Sequence, residues 1–162
     1  TPLVAGGESA GAHLCLAAFL RLAPAVRARY RALNLVYGFY DLEGTPSNRR
    51  FDRRLVFNGR ELAWFAKQLQ PDVMLHKDPA CSILHADFPG DLPPALFSVG
   101  THDALLDDTL LMAQKWADVG AEADLVLYPG AAHGVGHFGP HESTHQGADL
   151  LRRVNKFLKG KM

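Results

Sequence analysis

The sequence predicts an α/β fold built on a parallel sheet, and three observations lead to this prediction. Short apolar runs rich in branched and aromatic residues alternate with longer segments of helical periodicity. The chain has 162 residues, 48% of them hydrophobic and 21% charged, which is typical of one globular domain with a sizeable core. A G-x-S-x-G motif at residues 7–11 separates the first apolar run from the first helical segment. Such alternation favours parallel strands joined by right-handed crossovers.

The first strand and the first helix flank this motif. Residues 3–5 indicate the end of a strand, and residues 10–22 are apolar on nearly every side, as in a helix buried against a sheet. A serine at the apex of so sharp a turn needs small neighbours, and we expect Gly7 and Gly11 to provide the room. The turn would expose the Ser9 hydroxyl and aim the first N–H groups of the helix at its target.

A second strand and a long insertion follow. Branched and aromatic residues predict a strand at residues 33–42, preceded by a short arginine-rich helical piece at residues 25–32. Residues 43–94 contain six prolines and little periodicity, so we predict an insertion between the second and third strands. One helix stands out there, at residues 60–69. Its apolar side is expected to consist of Leu62, Trp64, Phe65 and Leu69.

The rest of the chain continues the alternation. A loop rich in glycine and histidine, residues 131–140, follows the last predicted strand, and Gly120 is expected to end the helix before that strand. The remaining elements are predicted as a strand at residues 95–100, a helix at 107–119, a strand at 125–128 and a helix at 142–158.

Composition excludes several classes of function. Seventeen basic and seventeen acidic residues balance, so no nucleic-acid or anionic-membrane partner is predicted. The absence of an 18-residue apolar run predicts no membrane span. Cys15 and Cys81 share no metal-binding or redox spacing, so we expect no metal and a reducing, cytoplasmic location. The chain begins without Met, within a strand and without a visible signal peptide, which suggests a piece of a longer polypeptide.

Three side chains are candidates for a nucleophilic site. A serine hydroxyl is a poor nucleophile near neutral pH and needs a base that a carboxylate orients. In parallel α/β sheets the reacting groups collect beyond the carboxyl ends of the strands. Ser9 follows the first predicted strand, Asp103 the third and His133 the fourth. This Ser-Asp-His order is the one expected for a serine on a strand-to-helix elbow.

Other residues compete for two of these roles. Asp107 and Asp108 are alternatives for the acid, although both have the position of helix-start residues. His102 and His137 are alternatives for the base, but neither directly follows the last strand and its turn. Glu8, the variable residue of the elbow, is expected to hydrogen-bond nearby backbone.

Several motifs together carry a resemblance to a known family. They are G-E-S-A-G-A-H-L, Y-D-L after the second strand, D-P-A-C-S-I-L-H-A-D, P-P-A-L-F-S-V-G-T-H-D-A-L-L-D-D and L-V-L-Y-P-G-A-A-H-G. In this order they resemble the C-terminal half of the hormone-sensitive-lipase-like carboxylesterases, in the α/β-hydrolase superfamily. The resemblance implies a truncated three-layer α/β-hydrolase fold of about four strands. Residues 1–162 would then be the C-terminal part of one catalytic domain.

The resemblance also implies a role for each candidate. Ser9 would be the nucleophile, Asp103 the triad acid and His133 the base, while the N–H of Ala10 would be one donor of the oxyanion hole. No organic cofactor or metal is implied, and the substrate would be a small-molecule ester, with short acyl chains favoured because no long apolar lid is apparent. The chain departs from the family pattern at Ile83, Ala104 and Val135, which concerns pocket shape and loop stiffness more than the chemistry.

One family feature has no counterpart in this chain. The other oxyanion donors of the family come from an H-G-G loop upstream of the serine, and the strands beyond the first strand are missing as well. Losing an oxyanion donor typically slows catalysis about a hundred- to a thousandfold. We therefore expect this piece alone to be weakly active or inactive. Its open first strand is expected to associate with a second copy or with the missing N-terminal half.

Two alternative functions belong to other classes. His141-Glu142-Ser143-Thr144-His145 matches the H-E-x-x-H motif of zinc metallopeptidases. Pro140 places that motif at an exposed helix start, and no third ligand follows at the family spacing, so the match is weak. The second alternative is a truncated hydrolase that acts as a non-catalytic interaction module.

Overall fold

A computed structural model describes residues 1–136 and 144–162 of the chain. Four parallel strands form one sheet, as the sequence predicts, and their order in the sheet is β1-β2-β3-β4. No helix within the described ranges is both long and apolar enough to cross a bilayer. The elements are β1 (Leu3–Glu8), α1 (Ala10–Leu20), α2 (Pro24–Arg27), β2 (Tyr30–Val36), α3 (Pro46–Arg50), α4 (Gly59–Leu69), β3 (Ala95–His102), α5 (Leu106–Asp118), β4 (Ala123–Ala132) and α6 (Thr144–Lys161).

Helices cover both faces of the sheet. On one face α1 and α5 pack against β2 and β3, in a core that contains Phe19, Phe97 and Trp116. On the other face Leu150 of α6 packs in a second core with Tyr128 of β4. Each large apolar side chain buried in this way contributes roughly 1.5–3 kcal/mol. The predicted three-layer architecture is therefore confirmed, with the sheet as its middle layer.

The boundaries of β2 differ from the prediction at both ends. The helical piece expected at residues 25–32 is a single turn, α2, because Tyr30 already pairs with Leu3 of β1 in the sheet. The strand also ends at Val36 instead of continuing to residue 42. The next residue, Tyr37, has a φ of +36°, which is incompatible with an extended strand. The chain therefore leaves the sheet there and forms a largely buried loop.

The insertion between β2 and β3 holds α3, α4 and two 3₁₀ turns, at Val73–Lys77 and Ile83–His85. Helix α4 confirms the predicted helix, and Asn58 and Glu61 form a capping box at its start. Its predicted apolar face is wrong for the most part, because α4 contacts the molecule through Leu62 and Ala66 at the edge of the fold. The remaining apolar side chains of that face are exposed: Trp64 by 57%, Phe65 by 47% and Leu69 by 66%.

Of the two glycines of the G-x-S-x-G turn, Gly7 is the one that the turn requires. A Cβ built on Gly7 would lie 2.2 Å from the carbonyl oxygen of Gly11, far inside contact distance. A Cβ built on Gly11 has no heavy atom within 4 Å outside the backbone of its own helix. The expectation that both glycines provide room is therefore right for Gly7 and wrong for Gly11 within the described part of the chain.

Alanine at these two glycines should have different effects on the stability of the 162-residue chain. Gly7→Ala must displace the start of α1, so we expect the free energy of unfolding to fall by about 2 kcal/mol or more. Gly11→Ala replaces a helical glycine in open space and should be neutral or raise that free energy by up to about 1 kcal/mol. Urea unfolding followed by circular dichroism measures both, and equal losses of stability would contradict this account.

Candidate active site

Ser9 occupies the turn between β1 and α1 in a strained backbone conformation. Its φ is 56° and its ψ −125°, values that non-glycine residues rarely adopt and that cost about 1–3 kcal/mol. The Ser9 N–H donates to the carbonyl oxygen of Val36 at 2.9 Å, and the Ser9 carbonyl accepts from the N–H of Ala12 at 3.1 Å. The turn is thus tied to β2 on one side and to α1 on the other, which holds the strain in place.

The structure brings Ser9, Asp103 and His133 together, although Ser9 and His133 are 124 residues apart. The Nε2 atom of His133 lies 2.9 Å from the Ser9 hydroxyl oxygen, and its Nδ1 lies 2.8 Å from Oδ2 of Asp103. Both the imidazole and the carboxylate are buried. The tautomer that satisfies both contacts carries its proton on Nδ1, which donates to Asp103, so that Nε2 accepts from the Ser9 hydroxyl.

A close approach of β3 and β4 brings His133 to Asp103. A Cβ on Gly100 of β3 would lie 2.1 Å from the carbonyl oxygen of Ala131, so this position requires glycine. The pairing of the two strands shifts register just after Gly100, and β4 continues to Ala132, beyond its predicted end at residue 128. The imidazole therefore emerges directly beside the carboxylate that follows β3.

Asp107 and Asp108, the alternative acids, make their hydrogen bonds to other parts of the fold. Asp107 accepts from the N–H of Ser47 at 2.7 Å, at the start of α3. His102, one alternative base, is the last residue of β3 and is exposed. His137, the other, lies outside the described residues. The geometry therefore favours Asp103 and His133 over the alternatives that the structure describes.

The fully buried carboxyl of Asp108 joins the start of α5 to the insertion. Its Oδ1 accepts from the N–H groups of Tyr40 and Asp41 at 2.7 and 3.1 Å. Its Oδ2 accepts from the Thr45 hydroxyl and the Asn48 amide at 2.8 and 2.9 Å. Burial raises the pKa of Asp108 to about 7, and the four hydrogen bonds oppose that rise. The sequence indicates only that Asp108 lies at a helix start, so its bonds to the loop after β2 and to α3 were not predicted.

Two aromatic rings pack against the imidazole of His133, and neither was found from the sequence. The centroid of the Tyr37 ring lies 4.6 Å from that of the imidazole, and the centroid of Phe57 lies 4.4 Å from it. The Tyr37 hydroxyl donates to the Glu8 carboxylate, and burial raises the pKa of Tyr37, which keeps the hydroxyl a donor. Phe57 belongs to the insertion, where no sequence motif indicates a contact with the site.

Ala10, the candidate oxyanion donor, follows Ser9 at the start of α1 and is exposed. Backbone N–H groups in the first turn of a helix have no partner within the helix. The positive end of the helix dipole also lies there, which favours negative charge. The Ala10 N–H is therefore suited to an oxygen atom that becomes negative beside Ser9.

The metal-binding alternatives find little support among the described residues. His145 is exposed in the first turn of α6, while His141 and Glu142 of the H-E-x-x-H motif lie outside the described residues. In the described part of the chain, one other group, Asp41, Glu43 and His85, has ligand atoms within 4.8 Å of one another. Lys77 and Arg49 already form salt bridges with Glu43, so a cation there would compete with two side chains.

A family model for the alpha/beta hydrolase fold matches residues 1–137. The chain belongs to the alpha/beta hydrolase fold family. This result confirms the family that the sequence motifs indicate, and the strand–turn–helix around Ser9 is the local geometry expected of such a hydrolase.

Two relatives of this chain are esterases. An esterase of Acinetobacter venetianus is 31% identical over 130 residues, which cover 79% of this chain and 43% of that protein. An acetyl esterase of Salmonella paratyphi B is 30% identical over 135 residues, which cover 82% of this chain and 42% of that protein. The chain therefore spans less than half the length of these curated relatives.

Similar solved structures are also esterases. An esterase from the bacterial hormone-sensitive lipase family superposes with a TM-score of 0.86 at 27% identity, over 98% of this chain and 52% of that one. A hyperthermophilic esterase from the archaeon Pyrobaculum calidifontis superposes with a TM-score of 0.85 at 25% identity, over 96% of this chain and 50% of that one. In both cases the match again covers about half of the solved protein.

The raised pKa of Asp108 predicts a pH-dependent stability. Between its ordinary value of 3.8 and about 7 the folded state holds a proton that the unfolded state has lost. The contribution of Asp108 to the free energy of unfolding is therefore complete below pH 3.8 and falls as the pH rises through about 7, by on the order of 4 kcal/mol. In Asp108→Asn nothing titrates at this position, but the new N–H group faces the Asn48 amide, so the variant should be much less stable than wild type at pH 4.

Urea unfolding of wild type and Asp108→Asn at pH 4, 6 and 8 tests this prediction. The difference in the free energy of unfolding should shrink steadily as the pH rises, because only the wild type loses the contribution. Other titrating groups are common to both proteins and cancel in the difference. A difference that stays constant from pH 4 to pH 8 would contradict the raised pKa.

Proposed function

We propose that the gene product containing this chain is a serine hydrolase of carboxylic esters, and that residues 1–162 are the C-terminal part of its catalytic domain. The observation that carries the proposal is the hydrogen-bonded line from Asp103 through His133 to Ser9, with distances of 2.8 and 2.9 Å. The esterase and acetyl esterase relatives support the same class of substrate. The acetyl esterase further favours short acyl chains.

In the first half of the proposed reaction, the Ser9 hydroxyl oxygen attacks the ester carbonyl carbon while Nε2 of His133 takes the hydroxyl proton. Asp103 holds the proton on Nδ1, so the lone pair of Nε2 faces the serine. The carbonyl oxygen becomes negative, and the N–H of Ala10 stabilises it. Collapse of this intermediate breaks the bond to the alcohol oxygen. His133 gives its Nε2 proton to that oxygen, and the acyl group remains on Ser9.

In the second half, a water molecule replaces the alcohol. It loses a proton to Nε2 of His133 as its oxygen attacks the acyl carbon. The bond to the Ser9 oxygen then breaks, the proton returns to that oxygen, and the carboxylic acid leaves. His133 carries out each proton transfer of this proposed cycle, and no step calls for a cofactor or metal.

We infer that the remaining oxyanion donors come from outside residues 1–162. The family resemblance implies an H-G-G loop upstream of the serine, and the chain spans less than half of its curated relatives. One missing donor slows catalysis about a hundred- to a thousandfold. The same reasoning leaves two expectations as predictions, a cytoplasmic location and pairing of β1 with another copy or with the N-terminal half. β1 lies at the edge of the described sheet, which supports such pairing.

Hydrolysis of 4-nitrophenyl acetate by the full gene product tests the proposed function. Ser9→Ala and His133→Ala should each lower kcat by about ten-thousandfold, because the nucleophile and its base act as a unit. His102→Ala is the matched control, since this exposed histidine lies on the same edge of the sheet and should leave kcat unchanged. The 162-residue chain alone should be about a hundred- to a thousandfold slower than the full gene product.

Two results would contradict the proposal. Hydrolysis that survives Ser9→Ala would assign the chemistry to another group. A full gene product that hydrolyses neither short-chain nor long-chain esters would favour the alternative of a non-catalytic hydrolase module. Rapid turnover of only long-chain esters would overturn the short-chain preference alone.

A further inference from the structure

Three phenylalanines of the insertion and its entry loop form an apolar surface beside the candidate triad. Phe39, Phe51 and Phe57 are each half-buried, and we call them the phenylalanine wall. They pack against a small buried core that consists of Leu62, Ala104 and Leu105. Two members of that core directly follow Asp103 in the sequence, and the Phe57 ring contacts the imidazole of His133. One ring of the wall therefore contacts the candidate base, and all three rings share a core with the two residues that follow the candidate acid.

The wall is held by independent contacts. The carbonyl oxygen of Phe39 accepts from Nδ1 of His13 at 2.8 Å, and burial lowers the pKa of His13. The Phe51 N–H donates to the Ser47 carbonyl at 3.0 Å, and the Phe51 carbonyl accepts from the N–H of Gly59 at 2.9 Å. A Cβ on Gly59 would lie 2.0 Å from the carbonyl oxygen of Asn48, so the start of α4 approaches α3 as closely as glycine permits. These contacts fix the backbone of Phe39 and Phe51.

The chemistry of the proposed reaction decides which part of an ester would meet this wall. The acyl group is bonded to Ser9, whereas the alcohol oxygen must receive its proton from Nε2 of His133. The alcohol portion therefore leaves past the imidazole, and Phe57 packs against that imidazole at 4.4 Å between ring centroids. Phe57, one ring of the wall, is therefore next to the group that protonates the alcohol oxygen.

We propose that the phenylalanine wall is the alcohol-binding surface of this hydrolase and that it selects esters of apolar, ring-containing alcohols. The proposal rests on the proposed function. The side chains of the wall and its core are all apolar, so these six side chains offer no hydrogen bond to a hydroxyl-rich alcohol. Phe51, at one end, also lines a pocket with Asp52 and Arg60. Aromatic rings pack edge-on or offset at 4.5–7 Å with a gain beyond simple burial, which three half-exposed rings can provide to a flat ligand.

The selectivity of the full gene product between benzyl acetate and ethyl acetate tests the proposal. The two esters share their acyl group, and their alcohols are of similar acidity, so the ratio of kcat/KM reports the alcohol side. Wild type should favour benzyl acetate by about tenfold or more, and Phe57→Ala should lower that ratio by about tenfold. Phe51→Ala, which leaves the ring beside the imidazole in place, should lower the ratio about threefold.

A control variant and a second substrate pair complete the design. Phe65→Ala removes an exposed phenylalanine that pairs with Trp64 on α4 and should leave the ratio unchanged. The ratio of ethyl butyrate to ethyl acetate reports the acyl side and should be unchanged in every wall variant. If Phe57→Ala slows both acetates equally, the ring only supports the imidazole and the proposal is overturned. A change confined to the butyrate ratio would place the wall on the acyl side and overturn it too.

These outcomes differ from a failure of the proposed function. If hydrolysis does not depend on Ser9, the triad chemistry itself is wrong, whatever the benzyl to ethyl ratio is. If hydrolysis depends on Ser9 but the ratio is the same in wild type, Phe51→Ala and Phe57→Ala, only the assignment of the wall fails.

Discussion

The carboxyl ends of parallel strands lie at the same end of a sheet, and the whole candidate site depends on this constraint. Ser9 follows β1, Asp103 follows β3 and His133 follows β4, so the parallel register brings distant parts of the chain to one edge. The register alone would leave the imidazole only near the carboxylate. The close approach at Gly100 closes the remaining distance, because glycine lets the two strand ends meet there.

Two buried carboxyl groups near the start of α5 are stabilised in different ways. An isolated buried charge is very unfavourable, so each group needs partners. Asp103 accepts from the N–H of Leu105 at 2.9 Å and from the imidazole of His133. Asp108 instead accepts four hydrogen bonds from the loop after β2 and from α3. One carboxyl thus orients the candidate base, and the other fixes the insertion that carries Phe57 against that base.

Local patterns were enough to predict much of this structure. Hydrophobic periodicity predicts the alternating elements and Gly7 predicts the sharp turn, because both depend on neighbours in the sequence. Strand order along the chain also predicts which ends would collect Asp103 and His133. These properties need no knowledge of which side chains meet across the fold.

The features that the sequence did not predict all depend on long-range contacts. The end of β2 depends on the positive φ of Tyr37, whose ring packs against an imidazole about a hundred residues later in the chain. The apolar face that the sequence predicts for α4 is not buried, because few parts of the fold pack against it. Trp64 on this face is therefore exposed. The position of Asp108 suggests a helix start, and only the folded loop shows its four donors. Phe57 lies in a stretch without periodicity.

We propose that Asp103, His133 and Ser9 act as one hydrogen-bonded unit that activates the serine. The most direct measurement is the rate at which a fluorophosphonate labels the full gene product, with the labelled residue identified by peptide mass mapping. The phosphorus should bond to the Ser9 oxygen as fluoride leaves, and both His133→Ala and Asp103→Asn should slow the labelling by about a hundredfold or more. Labelling of another residue, or equally fast labelling of Ser9 without His133, would contradict the account.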